Sequence, residues 1–95
     1  MEFEWDISKS SYNLLKHKIS FTEAVESFAD PDGFALEDTK HSFQERRFYW
    51  VGKSNRSKIL TTWFTRRKGI IRIIGSAEWR EFRKLYYEKT KSKKY

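Results

Sequence analysis

The chain opens on a period-2 pattern. Phe3 and Trp5 alternate with Glu2, Glu4 and Asp6, which predicts a short half-buried strand. Asp6 can then cap a helix reaching about Lys18, with Leu14 and Leu15 turned inward. Ser20 with Glu23 three residues on forms a capping box before Phe21, Ala24, Val25 and Phe28, a second helix of about nine residues. Asp30-Pro31-Asp32-Gly33 ends it as a turn containing the single proline. From Phe34 the period changes. Strands are expected at Phe34–Leu36, Arg47–Gly52, Ile59–Thr65 and Ile70–Ile74, where β-branched and aromatic residues concentrate. Lys53–Ser57 and Arg67-Lys68-Gly69 read as hairpin loops. A last helix is expected from about Ala77 to Glu88. The order is β-α-α-β-β-β-β-α. Loops this short imply an antiparallel meander, hence an α+β fold with an antiparallel sheet and helices packed on one face.

Composition sharpens this picture. Ninety-five residues are too few for two ordinary cores, so residues 1–90 are expected to form one domain, followed by a basic tail over 91–95. A charged content of 35% alone would suggest weak folding, but eight Phe, five Tyr and four Trp supply a large apolar area. Without cysteine, disulfides, thiolate metal sites and a Cys nucleophile are excluded. The acidic start Met1–Asp6 is no signal peptide, and no run approaches the ~20 apolar residues of a membrane span. A cytoplasmic protein without membrane attachment is expected.

Charge is distributed unevenly. Residues 1–45 carry ten acidic and four basic side chains, residues 46–95 three acidic and sixteen basic, within a net charge of +7. A basic second half suits a polyanionic partner. Arg46, Arg47, Arg56, Arg66, Arg67, Lys68 and Arg72 interleave with Phe48, Trp50, Trp63 and Phe64, and Arg80 and Arg83 follow on the last helix. Cations on a sheet neutralise phosphates, and exposed rings stack on unpaired bases, so RNA is the expected substrate class. About half of the strand aromatics must nonetheless face a core. His17 and His41, with Asp30, Asp32 and Asp38, show no metal-ligand spacing, so neither a metal nor another cofactor is expected. Metal-free RNA cleavage needs a proton-transfer group and donors for the developing phosphorane charge. Arg72 is the most deliberate arginine, because its side chain shares a face with Ile70 and Ile74: that face is open at one end, or the guanidinium is paired or binds an anion. His17, at a helix C-terminus, also has a purely structural role available there. Glu45-Arg46 reads equally as a local ion pair and as an acid beside an anion binder.

Several segments together resemble the BrnT family of type II toxin–antitoxin toxins. They are Phe3-Glu4-Trp5-Asp6, Lys9 and Asn13, Lys16-His17, Ile19-Ser20-Phe21 with Glu23-Ala24, Phe28-Ala29-Asp30-Pro31, Glu45-Arg46, Ile71-Arg72-Ile73-Ile74 and Tyr87-Glu88. The resemblance implies a RelE-like fold, ribonuclease activity that halts translation, and an oligomeric complex with a DNA-binding antitoxin of the BrnA type. Carried over by position, it nominates Lys16, His17, Glu45, Arg46 and Arg72. The working assignment is Arg72, Arg46 and Arg80 on the phosphate, Glu45 or His17 for proton transfer, and Lys16, Arg47, Arg66, Arg67, Lys68 and Arg83 for RNA binding. One departure stands out. The family usually continues Arg-Ile-Ile-Ser-Ala-Arg, whereas its last arginine is Ala77 here, with Arg80 one helical turn on as a substitute. That loss supports an alternative: a non-catalytic RNA-binding module, or an inactivated toxin kept for antitoxin binding.

Overall fold

In the computed structural model, residues 1–92 are described. The elements run β1 (Glu2–Trp5), α1 (Ile7–His17), α2 (Phe21–Ser27), β2 (Phe34–Asp38), a 3-10 turn (Thr39–His41), β3 (Arg47–Lys53), β4 (Ile59–Arg67), β5 (Ile70–Ala77) and α3 (Arg80–Ser92). The anticipated order holds. The local signals act as expected: the Asp6 carboxylate accepts from the Ser8 amide at 2.8 Å, and the Ser20 hydroxyl from the Glu23 amide at 3.1 Å. The Glu23 side chain does not close the capping box. It runs inward, accepting from Ser54 Oγ at 2.8 Å with Lys58 Nζ 3.8 Å away.

The five strands form one sheet in the order β1-β5-β4-β3-β2. The meander β2 to β5 is antiparallel, but β1 lies parallel to β5 with Glu4 opposite Arg72. The sheet is therefore mixed rather than wholly antiparallel, because β1 is separated from β5 by the rest of the fold and enters at its free edge. The helices also divide between the faces. Phe21 and Ala24 of α2 pack with Phe64, Ile71 and Ile73, joined by Phe48 and Trp50. Tyr86 and Phe82 of α3 pack instead with Val51 and Ile59. Because successive strand residues point to opposite sides, Phe48 and Trp50 face α2 while Tyr49 and Val51 face α3. Helix α3 begins at Arg80, not Ala77, since β5 runs on through Ala77. The tail expected over 91–95 falls partly in α3, which includes Lys91 and Ser92, and otherwise lies outside the described residues.

Helix α1 inverts the expected orientation. Leu14 and Leu15 are 51% and 73% exposed, and the buried member is Asn13. Its amide donates to the carbonyls of Ile19 and Ser76, both at 2.9 Å, and its Oδ1 accepts from the Ser76 amide at 3.0 Å. A polar clamp to backbone groups, not leucine burial, seats this end of α1. Asn13→Ala would leave all three buried groups unpaired, at a cost of roughly 3 kcal/mol. For a domain of this size, thermal denaturation is expected to show a fall in Tm on the order of 10 °C or more; an unchanged midpoint would show that the clamp is dispensable.

Candidate active site

One irregularity in the sheet shapes the site. Between β4 and β5, Trp63 pairs with Gly75 but Phe64 pairs with Ile73, so Ile74 is an extra residue. Ahead of it, Arg72 stands opposite Thr65, which stands opposite Arg47 on β3. These three share the face that α3 covers, but α3 covers only the other end, around Trp63 and Tyr49. The uncovered end is a cleft of about 370 Å³, lined by Arg47, Thr65, Arg67, Arg72 and Ile74 from the strands. Lys9 of α1 and His41, Phe43, Gln44 and Glu45 of the β2–β3 connection complete it. Past the bulge, Gly75 is required by close approach: a Cβ there would stand 2.1 Å from Trp63 Cζ2. Trp63 lies across this glycine and stacks on Trp79 at 4.9 Å.

Two polar groups on the cleft walls have no partner, Arg47 Nε and Thr65 Oγ1. Thr65 is 4% exposed. A buried donor without an acceptor is costly, so this wall of the cleft is polar and incompletely satisfied. Arg72 reaches into the same space, its Nη1 3.1 Å from Glu4 Oε2 on the parallel neighbour strand. Arg67 is held by Glu45 through two contacts, 2.8 and 3.1 Å. The Arg67 hydrogen bond holds the Glu45 carboxyl below the usual carboxylate range, helped by the charges of Arg67 and Arg72.

At the edge of the cleft, the 3-10 turn brings His41 Nδ1 to 2.8 Å from Asp38 Oδ2. Asp38 is 5% exposed, whereas the His41 side chain is 55% exposed. Burial pushes the Asp38 carboxyl up, but hydrogen bonds from His41 and Tyr49 and the charges of His41 and Arg47 outweigh it, leaving it below its ordinary value. When Nδ1–H is donated to this carboxylate, Nε2 of the neutral ring is left to accept a proton. An oriented imidazole, a buried carboxylate behind it and a wall of guanidinium groups make a proton-transfer group beside an anion site.

A family profile described as "Ribonuclease toxin, BrnT, of type II toxin-antitoxin system" matches residues 5–81. The chain belongs to the BrnT family. Its fold is similar to that of the Brucella abortus ribonuclease toxin BrnT, solved at 1.1 Å, with a TM-score of 0.64 and 17% identity over 83% of this chain and 96% of that one. No curated protein is a significant match. As a BrnT-family member the chain is a ribonuclease toxin of a type II system, which implies an RNA target and an antitoxin partner. Among the described residues no helix is long and apolar enough to cross a membrane.

Of the residues singled out from sequence, the structure gathers Arg47, Arg67, Arg72 and Glu45 around the cleft. Arg46 does not join them. It is bound to Glu37 at 2.8 Å and lies over the Phe48 ring, on the α2 side. The local ion pair, one of the two readings of Glu45-Arg46, does not form: Glu45 pairs with Arg67 and Arg46 with Glu37. His17 sets its ring edge-on against Trp63 at 5.9 Å and is not part of the cleft wall. Burial, then the Lys16 charge, lowers its pKa, which favours a neutral structural ring. Lys16 lies over Tyr12, Arg66 opens on the α2 side, and Lys68 sits in the left-handed turn before Gly69. Arg83 is exposed on α3, and Arg80 lines a separate hollow next to His41. Ala77 is a buried strand residue, so the supposed helical-turn relation between Ala77 and Arg80 does not exist. Sequence reading passed over Asp38, His41, Thr65 and Lys9 as site members. The one available signal was the Asp38-x-x-His41 spacing, which allows contact only if a helical turn forms there.

Proposed function

We propose that the chain is a metal-independent endoribonuclease in which His41 transfers the proton and the arginine cleft holds the scissile phosphate. The observation that carries this reading is the His41–Asp38 pair, 2.8 Å apart at the margin of a cleft walled by Arg47, Arg67 and Arg72. His41 Nε2 takes the 2′-OH proton as the 2′-oxygen attacks phosphorus. The O2′–P bond forms, the P–O5′ bond breaks, and the leaving 5′-oxygen takes a proton from water. The product ends are a 2′,3′-cyclic phosphate and a 5′-hydroxyl. The guanidinium groups of Arg72 and Arg47 donate to the phosphorane oxygens, with Thr65 beside them on the cleft wall. The assignment replaces His17 and Glu45 as base: His17 is packed on Trp63, and Glu45 is occupied by Arg67.

In the cell this activity would inhibit translation in the cytoplasm, with a BrnA-type DNA-binding antitoxin covering the toxin in an oligomeric complex. The decisive measurement is incubation of purified protein with total RNA in excess EDTA. Cleavage to cyclic-phosphate ends is expected. Intact RNA in EDTA with cleavage restored by magnesium would remove the metal-free mechanism, and RNA bound but never cut would return the chain to the non-catalytic module.

A further inference from the structure

Two hollows meet at His41. Besides the arginine cleft, a shallower one of about 790 Å³ lies between the 3-10 turn and the start of α3. Its floor is aromatic: Tyr49 from β3 with Trp79 and Phe82, whose ring centres are 5.4 to 6.0 Å apart. Trp79 is pinned from behind by its stack on Trp63, so the floor is set before anything binds. Glu78, Arg80 and Glu81 line the same hollow and are exposed. An aromatic floor with a polar rim, one side chain away from a phosphate cleft, has the form of a nucleotide seat, with Trp79 and Phe82, inclined by 31°, the rings nearest to a common plane. Rings of this kind stack on any base. The two carboxylates add discrimination, because when ionised they only accept hydrogen bonds. Guanine alone among the four RNA bases presents two adjacent donors on its Watson–Crick edge, N1–H and the 2-amino group. Adenine and cytosine set one amino donor beside an acceptor nitrogen, and uracil sets one N–H between two carbonyls.

We infer that this second hollow is a nucleobase subsite that seats an unpaired guanine next to the phosphate held in the arginine cleft. Trp79 and Phe82 form the stacking floor, Glu78 and Glu81 read the base edge, and Arg80 meets the neighbouring phosphate. The inference rests on the cleft being the phosphate site, as proposed above. It also gives Arg80 a role outside the cleft, in positioning the substrate backbone.

The test uses uncleavable 2′-O-methyl oligonucleotides with a single guanine in a pyrimidine background, and counterparts carrying adenine at that position. Binding to the intact protein is followed by fluorescence anisotropy. The guanine version is expected to bind on the order of tenfold more tightly, as one two-pronged base contact provides. Glu78→Gln with Glu81→Gln, both surface changes, should bring the ratio to near one without weakening the adenine version. No guanine preference in the wild type, or a preference unchanged in the double variant, overturns the subsite. Mapping RNA cut ends separates this from the function itself. Cleavage that persists with no guanine bias sinks only the subsite, whereas guanine-selective binding without cleavage leaves the subsite standing and removes the catalytic role.

Discussion

His41→Ala is expected to lower RNA cleavage by about 10²- to 10⁴-fold, the usual worth of a positioned proton-transfer group, and to end growth arrest on induced expression. The side chain is more than half exposed and stands on a three-residue turn, so its removal opens no cavity. Asp38 would lose one partner but keep the Tyr49 hydroxyl and the Arg47 charge. Circular dichroism and melting should therefore match the wild type. Asp38→Asn offers a second, graded test, because an amide preserves the shape of the turn but no longer holds the imidazole by a carboxylate. It should reduce cleavage less than His41→Ala does. A folded His41→Ala protein that cleaves at the wild-type rate would place the chemistry elsewhere, with Glu45 the next group on the cleft wall.

Arg72→Ala carries the second large effect. Preorganised donors aimed at developing charge are worth about 2.7–4 kcal/mol each, roughly a hundred- to thousand-fold in rate. Arg72 meets that description: it projects from mid-strand into the cleft and is steadied by Glu4 at 3.1 Å. Glu4 is itself partly exposed, so losing the pair leaves it hydrated and the fold intact. Arg56 is the control. It is exposed in the loop between β3 and β4, and truncation there should weaken RNA binding only slightly. Arg72→Lys should rescue poorly, since a point charge cannot reproduce a two-pronged grip on phosphate. The readouts are single-turnover cleavage and growth arrest, each beside a thermal melt. A folded Arg72→Ala variant with full activity would leave Arg47 and Arg67 as the phosphate binders; an unfolded one would make Arg72 a structural residue.

The unevenness of what could be read in advance has physical causes. Caps at Asp6 and Ser20, the Asp-Pro turn and the hairpin at Lys68-Gly69 depend on hydrogen bonds and backbone angles within three or four residues, so local sequence suffices for them. Arg72 was legible for the same kind of reason: a guanidinium in an isoleucine-rich strand requires either open space or a partner, and it has both. The expectation failed for Leu14 and Leu15 because apolar periodicity assumes that burial decides a helix's orientation. Here three hydrogen bonds from Asn13 to backbone more than sixty residues away and to Ile19 decide it instead.

The same distinction governs the site. By itself the sequence determined the element order, the turns and caps, the basic second half and, through segments spread along the chain, the toxin family. Tertiary structure alone decided that β1 joins β5 in parallel, that α3 takes the face opposite α2, and that Ile74 bulges out of register. Those choices leave one end of a sheet face uncovered and bring Lys9, His41, Arg47 and Arg72 to it from four separate segments. They also send Arg46 and His17 away from it. Which residues share a face across strands depends on register and on which helix covers which side. Both are settled by competition among long-range burial and pairing energies, and a local pattern of polar and apolar residues carries no record of that competition.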